Sequence, residues 1–452
     1  MAFRKDFLWG AASASYQIEG AAFQDGKGEN IWDKGVKIKD RIVHGENGNV
    51  ACDHYHLFRE DVKLMKEMGL KAYRFSVNWA RVLPEGTGKV NSAGIRFYSD
   101  LVDELCWAGI EPLVSIFHWD YPEYLHQKGG WLNEESPEWF AYYTKVLVDA
   151  LSDRVTYWLT INEPQIFVDL GYRQGIFAPF EKHTRKELAT ISHHVLLAHG
   201  KAVSVIRKYA KKKPLIGLAP TGPTVIPEKE TEQEIEKARK TSFSISCFGE
   251  SEFLFSNSWW LDPVFLGKYP EDANALLGDD MPEVKEGDMK IISEPLDFIG
   301  ANIYQSLVPG VGAEAYAQNC YQGCPRTMTD WAITPEVLYW SARFMTERYK
   351  LPFLITENGM AGMDFVHLDG KVHDSQRIDY MHRYLKALKR AADENIDIMG
   401  YMAWSVMDNF EWASGYDKRF GLVYVDYQTQ ERILKDSAYW YREVIGSNGE
   451  NL

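Results

Sequence analysis

Two glutamates stand where carboxylate chemistry is most readily built. Glu163 closes the run Thr160, Ile161, Asn162, and Glu357 closes Ile355, Thr356, with Pro164 and Asn358, Gly359 following them. Each ends an apolar, strand-like stretch. At the C-terminal ends of parallel barrel strands catalytic side chains gather, so two carboxylates so placed can face each other across one pocket. A facing pair of carboxyls is the machinery of glycoside hydrolysis.

Other polar groups sit at similar places. The alternation in 72–78 puts Arg74, Ser76 and Asn78 on one face of a strand and Tyr73, Phe75 and Val77 on the other. A polar face on a buried strand needs partners, which a pocket at the barrel top would supply; a structural ion pair is the plainer reading of Arg74. The stretch Phe117, His118, Trp119, Asp120 ends a third run, and Glu411 lies between Trp404 and Trp412 after the last one. Indoles beside His, Asn and Glu suit a pyranose, which has C–H faces and a rim of hydroxyls. A lone His or Trp is more often core packing, and in a chain that is 14% aromatic Phe410 is read that way.

The elements that must position these groups are legible as a repeat. Apolar runs near 8–14, 72–78, 111–119, 156–163, 216–222, 298–304, 353–359 and 398–405 alternate with amphipathic helix patterns. In one such helix Asp53 is the expected N-cap, Tyr55, Phe58, Val62 and Met65 follow at helical spacing, and Gly69 is the stop. Ser136 before Pro137 and Thr334 before Pro335 read as further caps. The alternation predicts an α/β fold, a (β/α)₈ TIM barrel with extended loops at its C-terminal face. A doubly wound sheet would call for an early GxGxxG, which is missing. With no Pro-, Gly- or Ser-rich linker, residues 1–452 read as one catalytic domain.

A formal charge of −14 argues against nucleic acid or anionic membrane as partner and favours a neutral small molecule. Met1 to Asp6 lacks the apolar core of a signal peptide, so a cytoplasmic location is expected. The cysteines, at 52, 106, 247, 320 and 324, contain no CxxC pair and read as free thiols; neither they nor His193 and His194 form a metal pattern. Lys208, Lys211, Lys212 and Lys213 read as solvated charges closing a helix before Pro214. The segment 306–331 reads as an active-site loop.

Seven segments in order carry a resemblance: Phe7 to Gly20 with Gln17 and Glu19, Arg74 to Ser76, His118 to Asp120, Thr160 to Pro164, Asn302 to Tyr304, Ile355 to Gly359, and Trp404 to Phe420. From Phe7 to about Tyr441 the chain resembles a family 1 glycoside hydrolase, the β-glucosidase family. The resemblance implies that Glu163 is the general acid/base and Glu357 the nucleophile of a retaining double displacement, with carboxyls about 5–5.5 Å apart rather than the roughly 6.5–9.5 Å of inverting enzymes. Arg74, Asn302 and Tyr304 would support the nucleophile. Gln17, His118, Trp119, Asn162 and Glu411 would contact sugar hydroxyls, Asn162 the 2-hydroxyl, with Trp404, Trp412 and Phe420 as walls. No cofactor and no metal are implied, and the oligomeric state is left open.

Implied substrates are β-glucosides or cello-oligosaccharides, with β-galactosides and β-fucosides as further glycones. A related branch acting on 6-phosphosugars uses a small hydroxyl residue, a lysine and a tyrosine where this chain has Glu411, Lys418 and Phe420. A carboxylate would repel the phosphate and Phe420 offers it no hydrogen bond. The same residues would also serve a transglycosidase, in which an acceptor sugar replaces water, and a non-catalytic sugar-binding barrel is a third class of function compatible with the fold. Tyr121, Glu123 and Ile303 depart from the family pattern and are assigned to the aglycone side or to packing.

Overall fold

The computed structural model describes residues 3–248, 253–307 and 323–452. Eight strands, β1 (Leu8–Ala12), β2 (Ala72–Ser76), β3 (Glu111–Phe117), β4 (Tyr157–Asn162), β5 (Leu215–Ala219), β6 (Ile299–Asn302), β7 (Phe353–Asn358) and β8 (Ile398–Trp404), form one parallel sheet. Its hydrogen-bonded order is β5-β4-β3-β2-β1-β8-β7-β6. The remaining seam, between β5 and β6, is closed by Asp297 N to Ile216 O at 2.9 Å, Asn302 N to Pro220 O at 2.9 Å and Gly222 N to Asn302 O at 3.1 Å. The Asp297 carboxylate also accepts from Ile216 N at 2.6 Å. Closure leaves the sheet without an edge, as in a (β/α)₈ barrel.

Each strand is followed by a covering helix: α1 (His54–Glu67), α2 (Ser92–Ala108), α3 (Ser136–Leu151), α4 (Arg185–Tyr209), α5 (Asn257–Leu266), α6 (Val337–Tyr349), α7 (Ser375–Asp393) and α8 (Asp436–Gly446). The eight expected runs all become strands, but each run extends past the C-terminal end of its strand. Those last residues leave the ladder and turn toward the site.

Two cores follow from the alternation along the strands. Ala12, Ala72, Leu113, Leu159, Ala219, Phe298, Leu354 and Met402 fill the barrel. Trp9, Tyr73, Phe75, Val114, Trp158, Ile216, Ile355 and Tyr401 pack outward in the layer shared with the helices. Small residues make the interior possible: a Cβ on Gly217 would lie 2.4 Å from the Phe298 ring. Arg74 and Ser76 point inward as the alternation predicts, and the Ser76 hydroxyl donates to Ser15 Oγ at 3.1 Å.

The expected caps are corrected. Helix α1 does start after Asp53 and stop before Gly69 (φ 74°), but Asp53 is left-handed (φ 49°) and makes no capping bond, its carboxylate turning to the His56 ring instead. Ser136 is already inside α3, its hydroxyl 3.5 Å from Trp131 O, and Thr334 precedes α6 by a turn, its Oγ1 accepting from Ser306 N at 2.9 Å. A hydroxyl near a helix start has several backbone groups within reach: Ser136 turns to the chain just before its helix and Thr334 to a tertiary neighbour.

The free-thiol reading is corrected at Cys324, which is disulfide-bonded, while Cys52 and Cys106 are free. Cys320 lies outside the described residues, as does most of the 306–331 loop. His193, on α4, sits between Tyr269 OH and the Asp288 carboxylate, and His194 bonds Trp131 O. Lys211 Nζ donates to Asp149 O at 2.7 Å beyond the end of α4.

Candidate active site

At the C-terminal mouth of the barrel a cavity of about 280 Å³ is lined by Glu163, Glu357 and Glu411, by His118, Asn302 and Tyr304, and by the rings of Trp119, Trp404, Trp412 and Phe420. Gln17, Arg74 and Asn162 stand behind this wall, buried. They hold the residues in front. All the expected site residues therefore meet in one region, although their positions span the chain from 17 to 420.

Local irregularity aims them. The ladders slip between Leu159 and Asn162 against β5, between Ala301 and Asn302 against β7, and between Ile355 and Asn358 against β8. A bulge re-aims the side chains next to it, and these three flank Asn162, Asn302 and Glu357. Glu163, Trp119 and Trp412 have φ of 41°, 75° and 50°, a region that costs energy for residues other than glycine and that gathers at functional sites. Gly359 lets two strand ends touch: a Cβ there would lie 1.8 Å from Trp404 O.

The two glutamates have unequal surroundings. Arg74 Nη1 donates to Glu357 Oε1 at 2.5 Å and Tyr304 OH donates to Oε2 at 2.7 Å. Among the described residues the Glu163 carboxyl takes one hydrogen bond, from Asn302 Nδ2 at 2.9 Å to Oε1. The Asn302 carbonyl oxygen in turn accepts from Thr356 Oγ1 at 2.6 Å and from Arg74 Nη1 at 3.4 Å. One carboxamide thus links the guanidinium of one acid to the carboxyl of the other.

Burial pushes both carboxyls above the usual range, but not equally. For Glu163 desolvation and then the negative charge of Glu357 raise the pKa well above normal, with little opposition. For Glu357 desolvation is resisted by Arg74, Tyr304 and Asn302, which stabilise the anion. One guanidinium favours one carboxylate, and it sits on Glu357. The proton of the pair belongs on Glu163. Glu411, buried and repelled by Glu357, is pushed up to about 8.

The wall suits a polyhydroxylated ring. Gln17 Nε2 is tied to Asn409 Oδ1, Phe410 O and Glu411 Oε2, leaving the buried Gln17 Oε1 without a protein partner. Asn162 Nδ2 donates to His118 Nε2 at 3.0 Å, so the imidazole carries its proton on Nδ1, which also lacks a partner. Burial and Arg74 keep that ring neutral by lowering its pKa well below the ordinary value. Asn162 Oδ1 is occupied by Arg74 Nη2 at 2.5 Å and Asn302 Nδ2 at 3.0 Å. The Trp119 N–H is already given to Asn162 O at 3.0 Å, so this indole offers the cavity its face rather than a donor. Trp119 and Trp412 lie 4.7 Å apart, and His118 stacks toward Trp404 at 5.8 Å.

Other residues singled out in the sequence find their places. Phe410 is packing, edge-on to Tyr16. Tyr121 is buried against Trp79 and Trp131, Glu123 pairs with Lys34, and Ile303 is buried, and none of the three is among the cavity-lining residues. Lys418 is not among the cavity-lining residues. Missed were Ile166, Leu170, Phe177, Thr221, Pro223, Phe255 and Gln305 of the cavity wall, while Trp331, at the end of the segment read as an active-site loop, lines it too. Ile166 and Leu170 carried a signal, apolar residues one helical turn apart just after Glu163.

A family model described as "Glycosyl hydrolase family 1" matches residues 1–450. "Beta-glucosidase A" of Thermotoga maritima is 41% identical over 99% of this chain and 98% of its own. "Aryl-phospho-beta-D-glucosidase BglC" of Bacillus subtilis is 38% identical over 100% of this chain and 98% of its own. Among solved structures, "Family 1 b-glucosidase from Thermotoga maritima" superposes with a TM-score of 0.89 at 40% identity, covering 99% of both chains.

Proposed function

The chain belongs to glycosyl hydrolase family 1, and from that premise we propose that it is a retaining β-glucosidase acting through Glu163 and Glu357. The observation that carries the assignment of roles is the asymmetry of the pair: Arg74 and Tyr304 on Glu357, Asn302 alone on Glu163. Glu357 is the anion and attacks the anomeric carbon, while Glu163 gives its proton to the departing glycosidic oxygen. The carbon–oxygen bond to the aglycone breaks as an ester bond to Glu357 forms. Esterification removes the charge that held the Glu163 proton, so Glu163 becomes a stronger acid, loses the proton to the leaving group and then takes one from the incoming water. The hydroxide so generated displaces Glu357 and releases the sugar with its configuration retained.

Sugar hydroxyls would be met by Gln17 Oε1, His118 Nδ1–H, the free Asn162 Nδ2 hydrogen and Glu411, between the faces of Trp404, Trp412 and Trp119 and against Phe420. Asn162 is fastened by Arg74, Asn302 and His118, so a bond from it to the 2-hydroxyl would gain strength in the transition state without reorganisation. β-Galactosides and β-fucosides are proposed as secondary substrates. Family membership leaves the 6-phosphosugar branch open, and the pocket argues against it: Phe420 lines the cavity and offers a phosphate no hydrogen bond, while Lys418 is not among the lining residues. The same two carboxyls would serve a transglycosidase, with a sugar acceptor in place of water. A non-catalytic barrel would have no need for both acids to keep their partners.

Residues 1–452 are proposed to act as one catalytic domain on a small neutral glycoside. No described helix is long and apolar enough to cross a membrane. The proposed compartment is the cytoplasm, on the composition and the free Cys52 and Cys106. Retention is tested by NMR of the first-formed sugar from p-nitrophenyl β-glucoside: the β-anomer is expected, and an initial α-anomer rules the mechanism out.

A further inference from the structure

We propose that the outer part of the cavity receives an apolar aglycone, an alkyl chain or an aryl ring, in preference to a second sugar, an inference that rests on the glucosidase reading above. Glu163 is the proton donor, so the side chains beyond it face the leaving group. They belong to a short helical turn, Pro164–Ile166, that runs into the wide π-helical turn Phe167–Arg173. This geometry puts Ile166 and Leu170 on the cavity wall, where both pack against Phe255 and Leu307. Phe177 and Pro223 extend the same wall.

Among the described residues, polar atoms are sparse there. Thr221 offers one hydroxyl without a partner, and Gln305 lends its Oε1 to Ala332 N at 3.1 Å. The inner wall, by contrast, carries three carboxyls, an imidazole, a carboxamide and a phenol. A glucosyl unit at the outer wall would lose water from several hydroxyls with few groups to replace it, which costs free energy. An alkyl chain or aryl ring loses nothing polar and buries its carbon against Ile166, Leu170, Phe177 and Phe255.

The test compares n-octyl β-glucoside, below its micelle-forming concentration, with methyl β-glucoside and cellobiose. Both alcohols are poorer leaving groups than the 4-hydroxyl of a sugar, so a preference for octyl cannot come from leaving-group chemistry. The expected kcat/KM for octyl is at least about tenfold that for methyl and exceeds that for cellobiose, a tenfold ratio being about 1.4 kcal/mol. In the double variant Ile166→Ser, Leu170→Ser the octyl value should fall about tenfold with the methyl value within about twofold, which also shows that the variant is folded. A cellobiose value above that for octyl, or an octyl-to-methyl ratio near one, overturns the proposal.

Calorimetric binding to Glu357→Gln separates the two readings. Tighter binding of octyl than methyl glucoside there supports the apolar wall even if the native protein turned over no glucoside. Equal affinities there overturn the wall while leaving hydrolysis untouched.

Discussion

Arg74 divides the labour between the two glutamates. It is buried, gives one nitrogen to Glu357 and another to Asn162, and so settles which acid carries charge and where the amide beside the acid/base sits. Glu357→Gln should therefore lower kcat on aryl β-glucosides by at least about 10³-fold with circular dichroism and Tm near native; a near-normal rate would remove Glu357 as nucleophile. Glu163→Ala should lose little kcat/KM on 2,4-dinitrophenyl glucoside and much more on methyl glucoside, while its kcat on the former falls with the unassisted second step and azide restores part of it through a glycosyl azide. The alkaline limb of kcat/KM should also vanish in that variant for the dinitrophenyl substrate, since no proton is then needed. Equal losses on both substrates would argue against the acid role.

Glu411 makes a separate prediction. Burial and Glu357 push its pKa up to about 8, so below the ordinary carboxylate range folded and unfolded chains both hold the proton. As pH rises from there toward 8 the unfolded chain releases the proton and the folded one keeps it, so the unfolded state binds fewer protons and stability falls. Glu411→Gln cannot release a proton. Its Tm should exceed that of the native protein by about 2–4 °C at pH 8, with the difference shrinking toward pH 5. A difference independent of pH between these values would show that Glu411 is not held neutral.

At the scale of elements, the end of β8 and the loop after it carry Trp404, Glu411, Trp412 and Phe420, and the loop is anchored from behind by buried charges. Asp408 accepts from Lys435 Nζ at 2.6 Å, from Arg419 Nη1 at 2.7 Å and from Gly421 N at 2.9 Å. Lys435 also reaches Asp364, which accepts from Arg377 at 2.6 Å, and Arg377 donates to Arg419 O at 2.8 Å. The loops after β7 and β8 and the start of α8 are so joined through buried and half-buried side chains. Lys435→Met leaves two buried carboxylates short of a cation, a loss on the order of 3–5 kcal/mol. The expected result is a clearly lower Tm together with a raised KM for glucosides, because the loop that walls the sugar loses its anchor. A Tm loss with unchanged KM would show the cluster to be purely structural.

At the scale of the whole molecule, barrel closure through Asp297 and Asn302 brings residues from both halves of the chain to one mouth. The charge of −14 acts at this scale too, through a field that salt screens over about 10 Å at 0.1 M. Turnover of neutral p-nitrophenyl β-glucoside should change less than about twofold between low and high salt, whereas its 6-phosphate should be the poorer substrate and gain as salt is added. A preference for the phosphate at any ionic strength would overturn the choice of branch made from Phe420 and Lys418.

The barrel and the strand-end placement of Glu163 and Glu357 were legible in one dimension, because strand and helix periodicities and a glutamate at a strand end are local patterns, whereas Gln17, Asn302, Tyr304 and Phe420 were reached only through the family resemblance. What lay beyond reach were the partners. That Trp119 spends its N–H on Asn162, that Asn302 joins Glu163 to Arg74, that Thr334 turns to Ser306, and that Ile166 and Leu170 wall the cavity all depend on segments far apart in the chain. A hydrogen-bonding side chain pairs with whatever acceptor the fold brings within about 3 Å, and at bulged strand ends its direction is settled by neighbours rather than by residue type.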